Sequence, residues 1–316
     1  VRNGSDVYSE NLGLAQSDHA AFLLGSITKP IVIAALMSLH DEGLFQLEDP
    51  VTKYLPEFTE GNYRSVQVVH LLTHTCGLPD QLPNNAELRA QHAPLSAFVE
   101  SCRSLAFHFQ PGTKYEYSSM GILLASEIAQ RISGLPIHKL VAQRVFVPLG
   151  MHDSALGLGD ISESNRMPCQ VEFGAPEAGG GEESTKDWNW NSPYWRSLGA
   201  PWGGCHASAA DIGKLLLAMM KPTDDFLKAS TKRLMITNHN AAGLESRGLG
   251  FDVDMTSSLV SCSPNSFGHT GSTGTFAWAD LDRHRLCVVL TTLPARALEE
   301  KRHPRHIASE CIARAD

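Results

Sequence analysis

The feature that most constrains the fold of this chain is the order of its helix-like and strand-like segments. Three strand-like segments, residues 249–255, 274–280 and 286–293, lie near the end, and a polar turn over residues 281–285 joins the last two. Short connections favour antiparallel pairing, because a parallel pair needs a crossover of a dozen residues or more. The end of the chain therefore predicts an antiparallel sheet, followed by a final helix from about Pro304.

The stretch before these strands has mainly helical patterns. Apolar residues recur at helical spacing between Gly25 and Gly43. Further helices are predicted over residues 66–74, 95–105, 118–132, 136–146, 208–220 and 225–237. A strand-like segment over residues 6–13 precedes them and most economically joins the same sheet. The expected fold class is α/β (α+β), with an antiparallel sheet flanked by helices and an inserted all-α lobe.

This order of elements predicts two structural units. Residues 1–70 and 205–316 are expected to form the sheet domain, and residues 71–204 the inserted helical lobe. Within the lobe, residues 150–204 are rich in Gly and Trp and have few periodic apolar positions, which is typical of an irregular segment near a functional site. A cleft between two such units is a common place for a ligand.

Charge and cysteine content limit the possible partners. The 316 residues carry 26 Lys and Arg against 34 Asp and Glu, and no long basic run, so neither nucleic acid nor an anionic membrane surface is an expected partner. No stretch approaches the ~18 consecutive apolar residues of a membrane span. The seven cysteines lack metal-ligand spacing, so neither a metal nor another cofactor is expected. Their scattered positions are typical of free thiols in a reducing compartment.

The first candidate for chemistry is Gly-Ser-Ile-Thr-Lys-Pro at residues 25–30, where an apolar run gives way to the first long helix. Residues three apart on a helix share one face, which suits a base, Lys29, that takes the proton of a nucleophile, Ser26. Lys29 must be neutral for this role, which requires burial or a second cation nearby. On its own, the pair is explained equally well by Ser26 as a helix N-cap.

Two later motifs strengthen the catalytic interpretation. Tyr117 precedes the long central helix, and a tyrosine held beside a lysine can act as a proton shuttle. His269, Thr270 and Gly271 are predicted to open the strand at residues 274–280, where small residues let a substrate approach and an edge strand can pair with an acyl-amide ligand. Each motif taken separately also has a structural explanation. Tyr117 could be a half-buried aromatic residue at the start of a helix, and His269 could belong to a turn that happens to contain a histidine.

In their order, the three motifs resemble the Ser-x-x-Lys, Tyr-x-Ser/Asn and Lys/His-Thr-Gly motifs of the serine penicillin-recognising enzymes. That superfamily includes class C β-lactamases, D-Ala-D-Ala carboxypeptidases, D-aminopeptidases and family VIII esterases. Residues 71–79, 110–134 and 201–216 also resemble the corresponding family segments, and the similarity runs from about residue 6 to residue 293. The resemblance implies the β-lactamase/transpeptidase-like fold.

The resemblance also implies a catalytic role for each matching residue. Ser26 would be the acylated nucleophile, and Lys29 and Tyr117 would share the proton that activates it and later the deacylating water. The backbone N–H groups of Ser26 and Ser272 would form the oxyanion hole. Two preorganised donors of that kind typically stabilise a transition state by several kcal/mol.

The residues that would face the substrate depart from the lactamase pattern at two positions. These residues are Ser119, His269, Thr270 and Gly271. Ser119 stands where β-lactamases usually carry Asn, so a contact to a substrate amide would be shortened or lost. His269 replaces the lysine of the lactamase motif, which would remove a permanent cation near Tyr117 and near any substrate carboxylate. Both departures weaken the case for an efficient β-lactamase.

The expected function is hydrolysis of a small molecule through an acyl-serine intermediate, with a carboxylic ester favoured over lactams and D-amino-acid amides. Two alternatives stay open, namely acyl transfer from the same acyl-enzyme and a non-catalytic penicillin-binding sensor. Four tryptophans, at positions 188, 190, 195 and 202, would shield an acyl-enzyme or simply pack. Free thiols indicate the cytoplasm, whereas most members of the superfamily act outside it, and the oligomeric state is not predicted.

Overall fold

The computed structural model describes residues 2–3 and 6–315, and it contains two antiparallel sheets. Its strands, in chain order, are β1 (Arg2–Asn3), β2 (Asp6–Val7), β3 (Phe22–Leu23), β4 (Ala155–Leu156), β5 (Cys205–Ala207), β6 (Asp252–Val253), β7 (Ser266–Gly271), β8 (Thr275–Asp280) and β9 (Arg285–Val289). Six of these strands form the larger sheet, in the order β2-β1-β9-β8-β7-β6, and the other three form a small sheet in the order β3-β5-β4. The antiparallel sheet expected from the sequence is confirmed.

Most of the regular secondary structure between β2 and β6 is helical. In chain order they are α1 (Thr28–Asp41), α2 (Val68–Leu72), α3 (Asn85–Ala90), α4 (Leu95–Cys102), α5 (Ser119–Ser133), α6 (Ile137–Val141), α7 (Val147–Leu149), α8 (Pro193–Leu198), α9 (Ala209–Met220), α10 (Ala229–Met235) and α11 (Pro304–Arg314). Each helix predicted from the sequence is present, although most are shorter than predicted. Among the described residues, no helix is both long enough and apolar enough to cross a membrane.

Helix α1 lies at the centre of the molecule. Its residues from 28 to 39 are all buried, and it packs against α5, α6 and α10. A helix that is apolar on every side needs such neighbours on every side, because solvent would penalise any exposed face. The surrounding apolar core runs without interruption across residue 71, so the division into a sheet domain and a helical lobe stays a prediction.

The strand predictions are right in position but inaccurate in extent. The segment predicted as a strand over residues 6–13 pairs only at Asp6 and Val7, and the residues that follow are exposed. His269 does not open β8, because it lies inside β7, a separate strand that the sequence did not predict. Gly268 lowers the strand propensity of this segment, so the sequence alone does not indicate a strand here. The packing nevertheless requires glycine, because any side chain at this position would collide with the Ala277 carbonyl of β8.

The edge of the larger sheet is left open where the predicted substrate motif lies. Strand β6 has two residues and pairs with Phe267 and Gly268 of β7. Within the described part of the chain, no strand therefore covers the outer edge of β7 from His269 onward. This open edge faces the start of α1, because the turn that precedes α1 packs directly on β7 and β8.

Candidate active site

Ser26 is held in a tight turn that packs against the β7–β8 turn. It lies in a 3-10 turn, Gly25–Ile27, that leads directly into α1. Gly25 has φ of +56°, and a Cβ at this position would lie 3.1 Å from the backbone nitrogen of Ser272. Only glycine combines this conformation with so close an approach. Thr275 Oγ1 donates to the Leu24 carbonyl at 2.6 Å, which ties the two turns together beside the nucleophile.

Lys29 contacts Ser26 as the sequence motif predicts. Its Nζ donates to Ser26 Oγ at 2.9 Å and to the Trp202 carbonyl at 2.8 Å. The alternative explanation of Ser26 as a helix cap is wrong, since neither the 3-10 turn nor α1 has a side-chain cap. Lys29 is 1% exposed. Burial lowers the pKa of Lys29 to about 7, Asp80 opposes this effect, and Arg247 adds to it.

Tyr117 packs beside the same pair of residues. Its ring stacks at a tilt on His74, with 4.4 Å between the ring centroids, and Lys29 Nζ lies 4.8 Å from its centroid. Ser118, the next residue, caps α5 and donates its N–H to His74 Nδ1 at 3.1 Å, which fixes Tyr117 at the helix entry. Burial raises the pKa of Tyr117 well above its usual value. Its hydroxyl lies near Ser26 but makes no hydrogen bond of standard geometry to a described residue.

A buried arginine supplies the cation that the sequence appeared to lack. Arg247 is 2% exposed, donates to His269 Nε2 at 2.7 Å and forms an ion pair with Asp252. Its guanidinium carbon lies 5.6 Å from the centroid of the Tyr117 ring. Arg247 therefore places a cation near Tyr117, although position 269 has histidine where the lactamase motif has lysine. Arg247 belongs to no recognisable sequence motif, and only the fold brings it here.

Ser119 is engaged by a neighbouring carboxylate. Its N–H and its hydroxyl both donate to Asp80 Oδ1, at 2.9 and 2.6 Å. The hydroxyl is therefore directed at Asp80. Asp80 directly follows the Leu-Leu-Thr-His-Thr-Cys-Gly-Leu-Pro segment, so its position beside a family-like motif was the one sequence signal that pointed to it.

Two cavities meet at Ser26, Tyr117 and Ser272. The first, here called the wide cavity, has a volume of about 640 Å³ and is also lined by Arg247, His269, Thr270, Gly271 and Arg305. The second, here called the small chamber, has a volume of about 140 Å³ and is also lined by Lys29, Asp80, Gln81, Arg89, Ser119, Glu177, Trp190, Trp195 and Trp202. A third cavity, of about 780 Å³, is lined mainly by residues from α9, α10 and the β8–β9 turn. None of the described residues that line it was predicted as a site residue.

Arg305 reaches the peptide unit that precedes the β7–β8 turn. This buried side chain of α11 donates through Nη1 to the carbonyls of Gly271 and Thr275, at 2.6 and 3.1 Å. The Gly271 carbonyl and the Ser272 N–H belong to the same peptide group. A cation on that carbonyl withdraws electron density from the peptide and strengthens the N–H as a donor.

The structure thus brings together the predicted reacting and substrate-facing residues with three of the four tryptophans, whereas Trp188 lines neither of these two cavities. It also adds residues that the sequence did not reveal. The added residues are His74, Asp80, Arg89, Glu177, Arg247 and Arg305. Among the described residues, no cluster of three or more His, Cys, Asp or Glu side chains is arranged to hold a metal ion. The chemistry available to this arrangement is nucleophilic attack by a serine next to a buried amine.

Two named bacterial proteins are similar in sequence to this chain, one over most of its length and the other over about half of it. It is 27% identical over 318 residues to esterase EstB of Burkholderia gladioli, a match that covers 90% of this chain and 80% of the esterase. It is also 27% identical to the putative penicillin-binding protein PbpX of Bacillus subtilis, over 48% of this chain and 38% of that protein.

Solved structures show the same fold. The structure of EstCE1, a hydrolase with promiscuous acyltransferase activity, superposes with a TM-score of 0.72 at 18% identity, covering 94% of this chain and 86% of EstCE1. A penicillin-binding protein from Bacillus halodurans gives a TM-score of 0.74 at 19% identity, covering 98% of this chain and 92% of that protein. The fold expected from the resemblance is thereby confirmed.

The family model described as beta-lactamase matches residues 1–311, nearly the whole chain. This match confirms the family predicted from the sequence motifs and, with it, the class of serine hydrolase. The protein belongs to the beta-lactamase family.

Proposed function

We propose that the protein hydrolyses carboxylic esters through an acyl-serine intermediate at Ser26. The observation that carries this proposal is the 2.9 Å contact between Lys29 Nζ and Ser26 Oγ. Burial lowers the pKa of Lys29 to about 7, so near neutral pH a large fraction of Lys29 is an uncharged amine. An uncharged amine within hydrogen-bond distance of a hydroxyl is a competent general base.

The first half of the reaction acylates Ser26. The serine proton passes to Lys29 while Oγ bonds to the ester carbonyl carbon, and the carbonyl oxygen becomes an oxyanion. The N–H groups of Ser26 and Ser272 are the proposed donors to this oxyanion. The bond from the carbonyl carbon to the alcohol oxygen then breaks, and the departing alkoxide takes a proton from Tyr117, which Lys29 reprotonates. The acyl group stays on Ser26, and Lys29 is again uncharged.

The second half of the reaction releases the acid. A water gives a proton to Lys29 as its oxygen bonds to the acyl carbon. The bond to Ser26 Oγ then breaks as Oγ takes a proton from Tyr117, and Lys29 returns its proton to Tyr117. Tyr117 serves as the proton donor rather than as the resting base. Burial raises its pKa well above the usual value, so it is a neutral phenol when Lys29 is already deprotonated.

The charges of the wide cavity favour an ester over substrates that carry a carboxylate. The two arginines that line the cavity, Arg247 and Arg305, are already engaged by Asp252 and by backbone carbonyls. Glu245 and Asp254 also line it and add negative charge. A penicillin or a peptide with a C-terminal carboxylate would meet these acidic groups, whereas a neutral ester would not.

Acyl transfer is a second candidate, because the small chamber is walled by three buried tryptophans. Trp190, Trp195 and Trp202 are each at most 4% exposed and lie beside Ser26. Apolar walls of this kind slow the entry of water to an acyl-enzyme and favour an added alcohol as the acceptor. The structural neighbour EstCE1 is likewise a hydrolase with promiscuous acyltransferase activity.

The test compares chromogenic esters with a chromogenic cephalosporin and a penicillin, while intact mass reports any acyl-enzyme. We expect turnover of short esters, a transient acyl adduct and complete loss of both in Ser26→Ala. Ser38→Ala removes a serine hydroxyl from α1, the helix that follows Ser26, and is the matched control, since among the described residues this hydroxyl bonds only to the Ala35 carbonyl. Full activity of Ser26→Ala, or faster turnover of the cephalosporin than of every ester, would overturn the proposal. Product partition toward an added alcohol would favour acyl transfer.

A further inference from the structure

Four side chains that line the small chamber have a buried polar atom with no partner among the described residues, namely Arg89 Nη1, Gln81 Oε1, Trp195 Nε1 and Tyr117 Oη, and the last of these belongs to the proposed proton path. Arg89 Nη1 is a donor, and Gln81 Oε1 is an acceptor. Both side chains line the chamber together with Ser26. Because a buried polar atom without a hydrogen bond is costly, two such atoms in one cavity point to a ligand that satisfies them.

Arg89 is fixed in place rather than solvated. It is 1% exposed, its guanidinium carbon lies 3.8 Å from the ring centroid of Trp195, and its Nε donates to Asn85 Oδ1 at 3.2 Å. The same Asn85 amide donates through Nδ2 to the Glu177 carbonyl at 3.1 Å, which links α3 to the irregular segment. Stacking and the Nε bond hold the guanidinium, while Nη1 stays unpaired.

The orientation of Gln81 follows from its neighbour. Its Nε2 lies 3.4 Å from Asp80 Oδ2, as expected when an amide donor faces a carboxylate. This contact leaves Oε1 as the unpaired atom. Arg89 therefore offers a charged donor and Gln81 a neutral acceptor, while the indole N–H of Trp195 is a further, neutral donor.

The relative size of the two cavities indicates which part of a substrate each accepts. The alcohol must leave after acylation and a water must then enter, which suits the wide cavity of about 640 Å³. The acyl group stays bonded to Ser26 through both steps, which suits the small chamber of about 140 Å³. A chamber of this size admits only a short acyl chain.

We infer that the small chamber selects a short acyl group that carries a neutral donor–acceptor such as a hydroxyl, which accepts from Arg89 and donates to Gln81. An acyl carboxylate would satisfy Arg89 but face Asp80 and Glu177, which line the same chamber. Asp80 and Glu177 would attract an acyl ammonium, but an ammonium has donors only and would leave Arg89 Nη1 without an acceptor. Only a group that is both donor and acceptor pairs both atoms without adding charge, and this inference rests on the proposed ester hydrolysis.

The test measures kcat/KM for four methyl esters whose acyl groups have similar length, by titrating the acid released. The esters are methyl butyrate, methyl 3-hydroxybutyrate, monomethyl succinate and methyl 3-aminobutyrate. We expect the hydroxy ester to exceed butyrate by roughly 10-fold or more, because one hydrogen bond is made to a charged donor. A preference for the succinate or the amino ester, or equal rates for hydroxybutyrate and butyrate, would overturn the inference.

Variants separate recognition from folding. In Arg89→Met the preference for the hydroxy ester should fall to near unity while methyl butyrate is still hydrolysed, and Gln81→Met should reduce it in part. Arg144→Met, which removes an exposed arginine paired with Glu42, is the matched control and should keep the full preference. If Arg89→Met does not fold, the inference is still tested by the relative kcat/KM of the four esters on the wild type and by the loss of preference in Gln81→Met. If the wild type hydrolyses none of the esters, the proposed function fails and this inference with it, whereas hydrolysis without preference overturns only the inference.

Discussion

The guanidinium of Arg247 donates a hydrogen bond to Nε2 of His269 at 2.7 Å. Because arginine has donors only, Nε2 must accept, and the ring proton is on Nδ1, which donates to the Thr270 carbonyl at 2.6 Å. Burial lowers the pKa of His269 well below its usual value, and Arg247 adds to this effect. His269 is therefore a neutral residue that holds a cation, where the lactamase motif has the cation itself.

The variant His269→Lys tests this arrangement. It places a second positive charge within hydrogen-bond distance of buried Arg247, so we expect the free energy of unfolding to fall by about 3 kcal/mol or more. Urea denaturation at pH 7 measures the change. His269→Gln keeps a hydrogen-bond acceptor for Arg247 and should lie within about 1 kcal/mol of the wild type. Equal stability of His269→Lys and the wild type would contradict the coupling.

The pH dependence of activity should report the state of Lys29. Its pKa of about 7 places the rising limb of kcat/KM near neutral pH, because only the uncharged amine accepts the serine proton. Asp80 raises that pKa, so Asp80→Asn should move the limb to lower pH. The Asn amide oxygen can still accept from Ser119, which limits the structural change. A limb that stays in place or moves to higher pH would be inconsistent with Lys29 as the base.

Stability should depend on pH through the same lysine. In the unfolded chain Lys29 titrates near its usual pKa of about 10.4, so between about pH 7 and that value the unfolded state holds a proton that the folded state lacks. The wild type should therefore gain up to about 1.4 kcal/mol of stability per pH unit relative to Lys29→Met across this window. Denaturation of both proteins from pH 7 to 9 measures the difference. Parallel curves would show that Lys29 is charged in the folded protein.

Much of this organisation follows from local sequence. The helix after Gly25, the long central helix and the terminal helix from Pro304 are predictable because each has a periodic apolar face or a clear start signal. The Ser26–Lys29 contact is also predictable from local sequence, because side chains three positions apart lie on the same face of a helical turn.

What could not be predicted depends on contacts between distant segments. Arg247 reaches His269 only because β6 pairs with β7, and neither strand has a strong alternating pattern. The guanidinium of Arg89 meets Trp195 across an irregular segment whose path no periodicity encodes. Ser119 and Asp80 are similarly far apart in the chain. Sequence motifs identify the reacting groups, whereas the groups that set their charge and selectivity come from the tertiary fold.

Arg305 provides the last prediction, which concerns the proposed oxyanion hole. Because its guanidinium donates to the Gly271 carbonyl, it strengthens the Ser272 N–H that would bind the oxyanion. Arg305→Met should lower kcat by roughly 10-fold, less than the loss of a whole oxyanion donor, and leave KM nearly unchanged, because the oxyanion exists only in the transition state. Glu300→Gln removes the ion-pair partner at 3.5 Å but keeps the bond to Gly271, and it should behave like the wild type. A raised KM with unchanged kcat in Arg305→Met would instead assign Arg305 to binding of the ground-state substrate.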